Sequence, residues 1–333
     1  MTTMLREPVQ RTSTADDHFD LRKQSILLTG GTGFIGSHMA TGLRALGVKD
    51  LYVVKRPDYD LTRPADVQRL FREHPADVVI HLAGLVGGIL ANKLRPADFC
   101  YQNLMMGTLV FHEAWRSGAR KFLAAGAGCG YPLHAPSPLR EQDFWVGLPQ
   151  KESAPYSLAK RLLTVQSVAY WQQHGFTSIV AVPGNVYGPA DNFHLQDAHV
   201  IPALVRKFVE AVNAGAPEVE VWGTGQAARD FVYVEDIVSG IVSALERLRG
   251  SHVVNLSSGH ETPVRTVVEH LQRISAFPGK IRWDTSRPDG QLHRRLDTTK
   301  ARELLGWTTR TDLPEGLRRT VEWYRAHQAE ARK

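Results

Sequence analysis

An apolar run that breaks into closely spaced glycines and then a helix, followed by repeated alternation of apolar runs with helical segments, predicts an α/β fold with a doubly wound, Rossmann-type parallel sheet. The opening unit is Ser25-Ile26-Leu27-Leu28, then Thr29-Gly30-Gly31-Thr32-Gly33-Phe34-Ile35-Gly36, then an amphipathic helix from Ser37 to Leu46. The alternation continues from residue 25 onward, which in one sheet means parallel strands joined by right-handed crossovers. The run from Ala76 to Gly84 is continuously apolar, as in a strand covered on both faces. Ligands of such sheets lie beyond the C-terminal ends of the strands.

The glycine turn carries the first chemistry. Gly31, Gly33 and Gly36 fit G-x-G-x-x-G, and Gly30, Gly33 and Gly36 fit G-x-x-G-x-x-G. Such glycines permit a tight turn, let backbone approach a pyrophosphate, and allow close packing of helix on strand, while the helix N-terminus presents amides to the anion. Gly30, Gly33, Phe34, Ile35 and Gly36 are therefore candidate cofactor contacts. A second strand, Asp50 to Val54, ends at Lys55-Arg56, where an adenosine ribose would lie. NAD sites usually place a carboxylate there, whereas cations suit a 2′-phosphate, so NADP is expected in preference to NAD. The bland reading is that Lys55 and Arg56 are merely solvated. Asp60-Leu61 leads into a helix from Pro64 to Glu73 and is placed beside the adenine.

The chain of 333 residues is long enough for a substantial core and carries a net charge of +6, with its Lys and Arg mostly scattered. An anionic small ligand accounts for that excess as well as a nucleic acid would, and no nucleic-acid partner is expected. The two cysteines, Cys100 and Cys129, suit neither a disulfide framework nor a metal site, and favour an intracellular, cytoplasmic protein. No run approaches a membrane span, and the start lacks the apolar core of a signal peptide. Residues 1–22 read as a flexible arm.

Further along, His81 reads as structural, Gly84 to Gly88 as a loop open to a cofactor, Asn103 as the start of a helix through Trp115, and Lys121 to Ala125 as a strand. Pro132 to Ala154 forms a loop over the site. In the helix that follows, Tyr156 and Lys160 are four apart and share a face, so the ammonium is placed to favour phenolate. Ser178 to Val182 is another buried strand. Beyond Pro189 the pattern changes: a loop through His199 feeds a helix from Ala203 to Asn213, and Val219 to Trp222 is a short strand. The expected division is a dinucleotide-binding domain at 23–188 plus about 230–257, and a smaller C-terminal substrate-binding lobe at 189–229 and 258–333. Trp222, Arg229, Arg287 and Arg294 in that lobe are of the types that stack on a base and grip a diphosphate. Taken singly, each is as readily a packed Trp or a solvated Arg.

Together, Thr29-Gly30-x-x-Gly33-x-x-Gly36, Tyr156-x-x-x-Lys160, Asn185-Val186-Tyr187-Gly188-Pro189 and Asp297-x-x-Lys300-Ala301 through Trp307 resemble the extended short-chain dehydrogenase/reductase family, over almost everything after residue 22. Three stretches narrow the likeness: Val86 to Asn92 with Pro96 to Phe99, Asp191 to His194 with His199 to Leu204, and Val221 to Gly225. They are similar to the members that epimerise a GDP-linked 4-keto-6-deoxy sugar at two carbons and reduce its ketone with NADPH. That resemblance implies Cys129 and His199 as the proton-exchanging pair, Tyr156 as donor to the carbonyl oxygen, and Lys160 on the cofactor ribose. It extends the cofactor contacts through Arg56, Asp60, Leu61, Leu82, Ala83, Gly84, Lys160, Pro183 and Asn185. It implies substrate contacts at Gly88, Asn185, Lys207, Trp222, Arg229, Arg287 and Asp289, no metal, and a homodimer through the helices bearing Asn103 and Tyr156. Outside the resemblance, Cys129 reads sooner as a small buried apolar residue, and His199 as a residue that caps or packs the following helix.

One departure stands out. Four residues before Tyr131 the wider family carries Ser or Thr, and this chain has Ala127. Losing a donor to developing negative charge typically costs about 10²- to 10³-fold. Either another group, such as an amide near Gly128, substitutes, or the enzyme is a nucleotide-sugar epimerase with little net ketone reduction. A third reading is a cofactor-binding scaffold with reduced catalysis, against which the retained Tyr156, Lys160, Cys129 and His199 argue.

Overall fold

The computed structural model describes residues 19–332 except 196 and 288. The elements run β1 (Ile26–Thr29), α1 (Phe34–Leu46), β2 (Leu51–Val53), α2 (Pro64–Glu73), β3 (Val78–His81), α3 (Ile89–Leu94), α4 (Pro96–Arg116), β4 (Lys121–Ala125), α5 (Ala154–His174), β5 (Thr177–Pro183) and β6 (Asn185–Tyr187). They continue with α6 (Val200–Ala214), β7 (Glu218–Trp222), β8 (Ala228–Arg229), β9 (Phe231–Tyr233), α7 (Val234–Arg247), β10 (Ser251–Leu256), β11 (Thr262–Pro263), α8 (Val264–Ser275), β12 (Lys280–Asp284), β13 (His293–Arg294), α9 (Thr299–Leu305) and α10 (Leu313–Ala326). A six-stranded sheet in the order β10-β5-β4-β3-β1-β2 is parallel throughout. Connections leave β1 in both directions, so a crevice opens between the ends of β1 and β3.

Each face of this sheet is covered because its strands are apolar on both sides. One core holds Met39 and Leu43 of α1 with Ile237 and Ile241 of α7, and the other holds Val67 and Leu70 of α2 with Val110 and Phe111 of α4. A third core, around Phe208, Val221, Leu271 and Val321, joins α6, α8 and α10 to β7 and β12 and forms the smaller lobe. Among the described residues no helix is long and apolar enough to cross a membrane.

The expected elements are found, with informative differences. Helix α4 starts at Pro96, not Asn103, because a proline in the first turn needs no N–H partner and leaves the helix free to begin there. Asn103 is instead buried mid-helix, bonded to the loop after β3: it donates to the Leu85 carbonyl at 3.0 Å and accepts from the Leu85 amide at 3.1 Å. Helix α6 likewise starts at Val200 with Pro202 in its first turn, which puts His199 at the N-cap position. The arm expected at 1–22 is corrected at its end. Phe19 and Leu21 are buried in the first core, and Asp20 caps a turn at Leu21–Lys23 by accepting from the Arg22 amide; residues 1–18 lie outside the described residues. The lobe boundary also shifts, because Ala301, Leu305 and Trp307 pack in the core beneath α7, where the Trp307 indole donates to Ser239. Residues 299–307 thus belong with the large sheet rather than with the lobe.

His81 ends β3 wholly buried, its Nδ1 2.8 Å from the Thr29 hydroxyl on the neighbouring strand. Burial, helped by the Lys160 charge, pushes its pKa down to about 3. The neutral ring is thus the folded form, and the unfolded chain binds the proton first as pH falls. The protein is expected to lose stability below about pH 6.5 at up to about 1.4 kcal/mol per pH unit from this group alone. Urea midpoints for wild type and His81→Asn between pH 7 and 5 check it: the wild-type line should be the steeper, and parallel lines would refute the assignment.

Candidate active site

The glycine turn between β1 and α1 has no room for side chains. Gly30 has φ +72°, and a Cβ there would stand 2.5 Å from the Ala83 amide nitrogen; one on Gly36 would overlap the Gly30 carbonyl. Gly33 sits at the N-cap of α1 with no side-chain cap, which leaves the first amides of Phe34 and Ile35 facing the crevice. The loop after β3 is pinned against this turn, since the Leu82 amide donates to the Thr29 carbonyl. Lys55 and Arg56, both exposed, follow the end of β2. Asp60 accepts from the Thr62 amide and hydroxyl, which holds its carboxyl below the usual range. Leu61 turns its side chain into the second core, so only its backbone is left to border a ligand.

Beside this cradle, Lys160 is buried on α5 under Gly84, where a Cβ would lie 3.2 Å from Nζ and 3.0 Å from the Asn103 amide oxygen. Asn103 therefore holds the loop that roofs the lysine. Burial lowers the Lys160 pKa to about 8. Tyr156, one turn earlier, packs edge-on against Phe99 with centroids 6.1 Å apart. Burial and the neighbouring Cys129 push its phenol well above its ordinary value. This reverses the expected effect of the lysine: desolvation dominates, and the phenol keeps its proton. A phenol in that state is a donor to an oxygen that gains negative charge.

Cys129 lies in a 3-10 turn at Gly128–Gly130, just past β4. Burial raises its thiol, opposed by the Ser157 hydroxyl and the charges of Arg294 and Lys160. The turn abuts β5: a Cβ on Gly128 would meet the Pro183 carbonyl at 3.4 Å. Two residues on, Asn185 opens β6 and donates its side-chain amide to Asp230 at 3.1 Å. Asp230 is itself buried and also accepts from Ser257 and the Leu296 amide, both at 2.8 Å. Three donors thus fix the group that orients Asn185.

Asn185, His199 and Arg229 line one cavity of about 200 Å³, closed by Tyr187 and Phe231. The His199 ring makes no cap bond to α6, and burial lowers its pKa, so it is a neutral imidazole near neutrality. Arg229 donates to the Ala228 and Gln291 carbonyls, each at 2.7 Å. The remaining candidates gather further out. Lys207 and Arg287 stand over the half-exposed Trp222 ring, 5.2 and 5.1 Å from its centroid. Asp289 accepts from the Thr224 amide and hydroxyl at 2.8 and 2.6 Å and so ties the 287–291 loop to the turn after β7. Gly290 brings that loop beside Arg229. Gly88 caps α3 opposite the Asp197 carbonyl. Among the described residues no cluster of His, Cys, Asp or Glu is built to hold a metal.

Arg294 also binds backbone. It sits next to Arg229 across the β13–β8 pairing and donates to the Gly128 carbonyl at 2.7 Å, holding the cysteine turn. Ser157 and Asp230 are absent from the reading of the sequence, although each adjoins a residue in it; only adjacency to Tyr156 and Arg229 could have drawn attention to them.

Fold and site define a Rossmann-type enzyme with the tyrosine-lysine pair of the short-chain dehydrogenase/reductase class. The chain belongs to the NAD dependent epimerase/dehydratase family, whose model matches residues 26–257. It is 39% identical over 303 residues to GDP-L-fucose synthase 1 of Arabidopsis thaliana, an alignment that covers 91% of this chain and 94% of that one. It is 37% identical to the probable GDP-L-fucose synthase 1 of Oryza sativa subsp. japonica, over 96% and 99% of the two chains. In structure it is similar to a GDP-L-fucose synthetase from Naegleria fowleri bound to NADP, with a TM-score of 0.91, 25% identity, and coverage of 98% and 100%.

Proposed function

We propose that this protein is an NADP-dependent epimerase/reductase acting on a GDP-linked 4-keto-6-deoxy sugar, in the manner of the GDP-L-fucose synthases it is similar to. The observation that carries the reading is the meeting, past the ends of β4 and β5, of a protonated phenol, a thiol and a buried ammonium beside a cavity lined by His199, Asn185 and Arg229. The glycine turn is packed too tightly for a Cβ on Gly30 or Gly36 and leaves the first amides of α1 uncapped for a pyrophosphate, and Lys55 and Arg56 suit the 2′-phosphate of NADP rather than a bare ribose. When bound, NADPH supplies the hydride. Lys160 would hold the cofactor ribose under the Gly84 roof, and Tyr156 would donate its proton to the carbonyl oxygen as that oxygen becomes an alkoxide.

The carbons flanking the carbonyl exchange protons because the enolate spreads charge onto that oxygen. The environments of His199 and Cys129 push their proton affinities in opposite directions, the imidazole down and the thiol up. His199 is accordingly the base and Cys129 the acid in the resting enzyme. Asn185 and Arg229 hold the sugar and its first phosphate, Trp222 offers its face to guanine, and Lys207, Arg287 and Asp289 border the nucleotide. Tyr101 on α4 and Leu158 on α5 are exposed at 57% and 42%, and a homodimer through these two helices would cover them.

Ala127 favours a second reading. It is buried just before the cysteine turn and brings no hydroxyl to the site, so an epimerase with little net reduction is the alternative. Absorbance at 340 nm decides: the first reading expects one NADPH consumed per 4-keto sugar converted, whereas isomer formation with NADPH conserved establishes the second. If reduction is impaired for want of that hydroxyl, Ala127→Ser should raise it by up to about 10²-fold.

A further inference from the structure

The backbone of the cysteine turn is gripped from two sides. Arg294 donates to the Gly128 carbonyl at 2.7 Å and Arg161 donates to the Gly130 carbonyl at 2.5 Å, so the turn is fixed independently of the thiol. The thiol has its own partner. Ser157 follows Tyr156 on α5, is wholly buried, and its hydroxyl stands 3.3 Å from Cys129 Sγ. The same hydroxyl stands 3.4 Å from the Ser153 hydroxyl, which in turn donates to the Gln150 carbonyl at 3.4 Å. With its proton given to Gln150, Ser153 is left as an acceptor. Ser157 has one proton and two places to put it.

We propose that Ser157 is a positioning residue for Cys129, its hydroxyl donating to Ser153 and accepting from the S–H while the thiol is protonated, then turning to donate to Sγ once the thiol has given its proton to substrate. Proton and charge balance throughout. The proton that leaves sulfur goes to the substrate carbon, the negative charge stays on sulfur, and rotation about the Ser157 Cβ–Oγ bond replaces an accepted hydrogen bond with a donated one. A hydrogen bond to a charged acceptor is worth more than one between neutral groups, so the turned hydroxyl favours the thiolate. The other charged or titratable groups that face the sulfur are Tyr156, Lys160 and Arg161 on α5 and Arg294 on β13. Ser157 has both Cys129 Sγ and the Ser153 hydroxyl within reach, and turns its proton from one to the other without moving the helix.

The role in turnover rests on the epimerase reading, but the contact is tested without substrate. In a Cys100→Ser background Cys129 is the only cysteine, and its thiolate is read by absorbance at 240 nm against pH. Ser157→Ala is expected to raise the thiol titration by about one pH unit. Ser157→Thr, which keeps the hydroxyl, should titrate within a few tenths of wild type. An unshifted Ser157→Ala curve overturns the proposal, as does a Thr variant displaced as far as the Ala variant. A shifted titration in an enzyme that turns over no keto sugar would keep the contact and discard only the proposed substrate.

Discussion

Tyr156→Phe is expected to abolish ketone reduction while leaving proton exchange at the neighbouring carbons. The substitution removes one oxygen and keeps the ring, so the edge-on packing against Phe99 survives and the fold is not at stake. What disappears is the phenol one turn before Lys160 on α5. Donation of a proton to the developing alkoxide by a positioned group is worth about 10²- to 10⁴-fold. The upper part of that range applies here, because Ala127 supplies no second hydroxyl to share the charge. Enolisation places less charge on the same oxygen, and in the proposed mechanism the exchange itself runs through His199 and Cys129. NADPH consumption should therefore fall by about 10³-fold, while deuterium from solvent still enters the sugar at two positions by NMR. Loss of both activities together would show that Tyr156 serves substrate binding or enolisation instead.

The features legible in the sequence are those in which one short stretch meets its own physical demand. The turn at Gly30 needs a positive φ and no Cβ, and the spacing of glycines announces both. Helix α2 and strand β4 were bounded closely because a proline opens the one and the apolar run Phe122 to Ala125 makes up most of the other. Less legible were starts hidden by prolines, as at Pro96 and Pro202, where a residue usually taken as a breaker sits in the first turn. Least legible were contacts made across sequence. Ser157 reaches Cys129 over 28 residues and Asp230 reaches Asn185 over 45, and neither serine nor aspartate at those positions has any periodicity to betray it. The same holds for the proton affinity of Tyr156. Its spacing from Lys160 suggested a lowered value, but burial is a property of the assembled fold, and here burial wins.

Removing either member of the thiol-imidazole pair should separate inversion from reduction in the opposite sense. Burial leaves His199 neutral and Cys129 protonated near neutrality, so one can take a proton at the moment the other gives one. His199→Asn removes the proposed base. No deuterium should then enter either carbon, and formation of the doubly inverted product should fall by about 10²- to 10⁴-fold. Cys129→Ser keeps size and a hydrogen-bonding group but replaces a thiol of free pKa about 8.5 with a hydroxyl far too weakly acidic to deliver a proton on the same timescale. His199 still abstracts in that variant, so the proton or solvent deuteron returns to the face it left. Deuterium should accumulate in unconverted substrate without inversion, which distinguishes loss of the acid from loss of the base. Both variants keep Tyr156, Lys160 and the glycine cradle, and both should reduce the ketone of a sugar that is already inverted. If Cys129→Ser inverts its substrate at the wild-type rate, the proton on the second face comes from elsewhere, and water or Ser157 becomes the group to test.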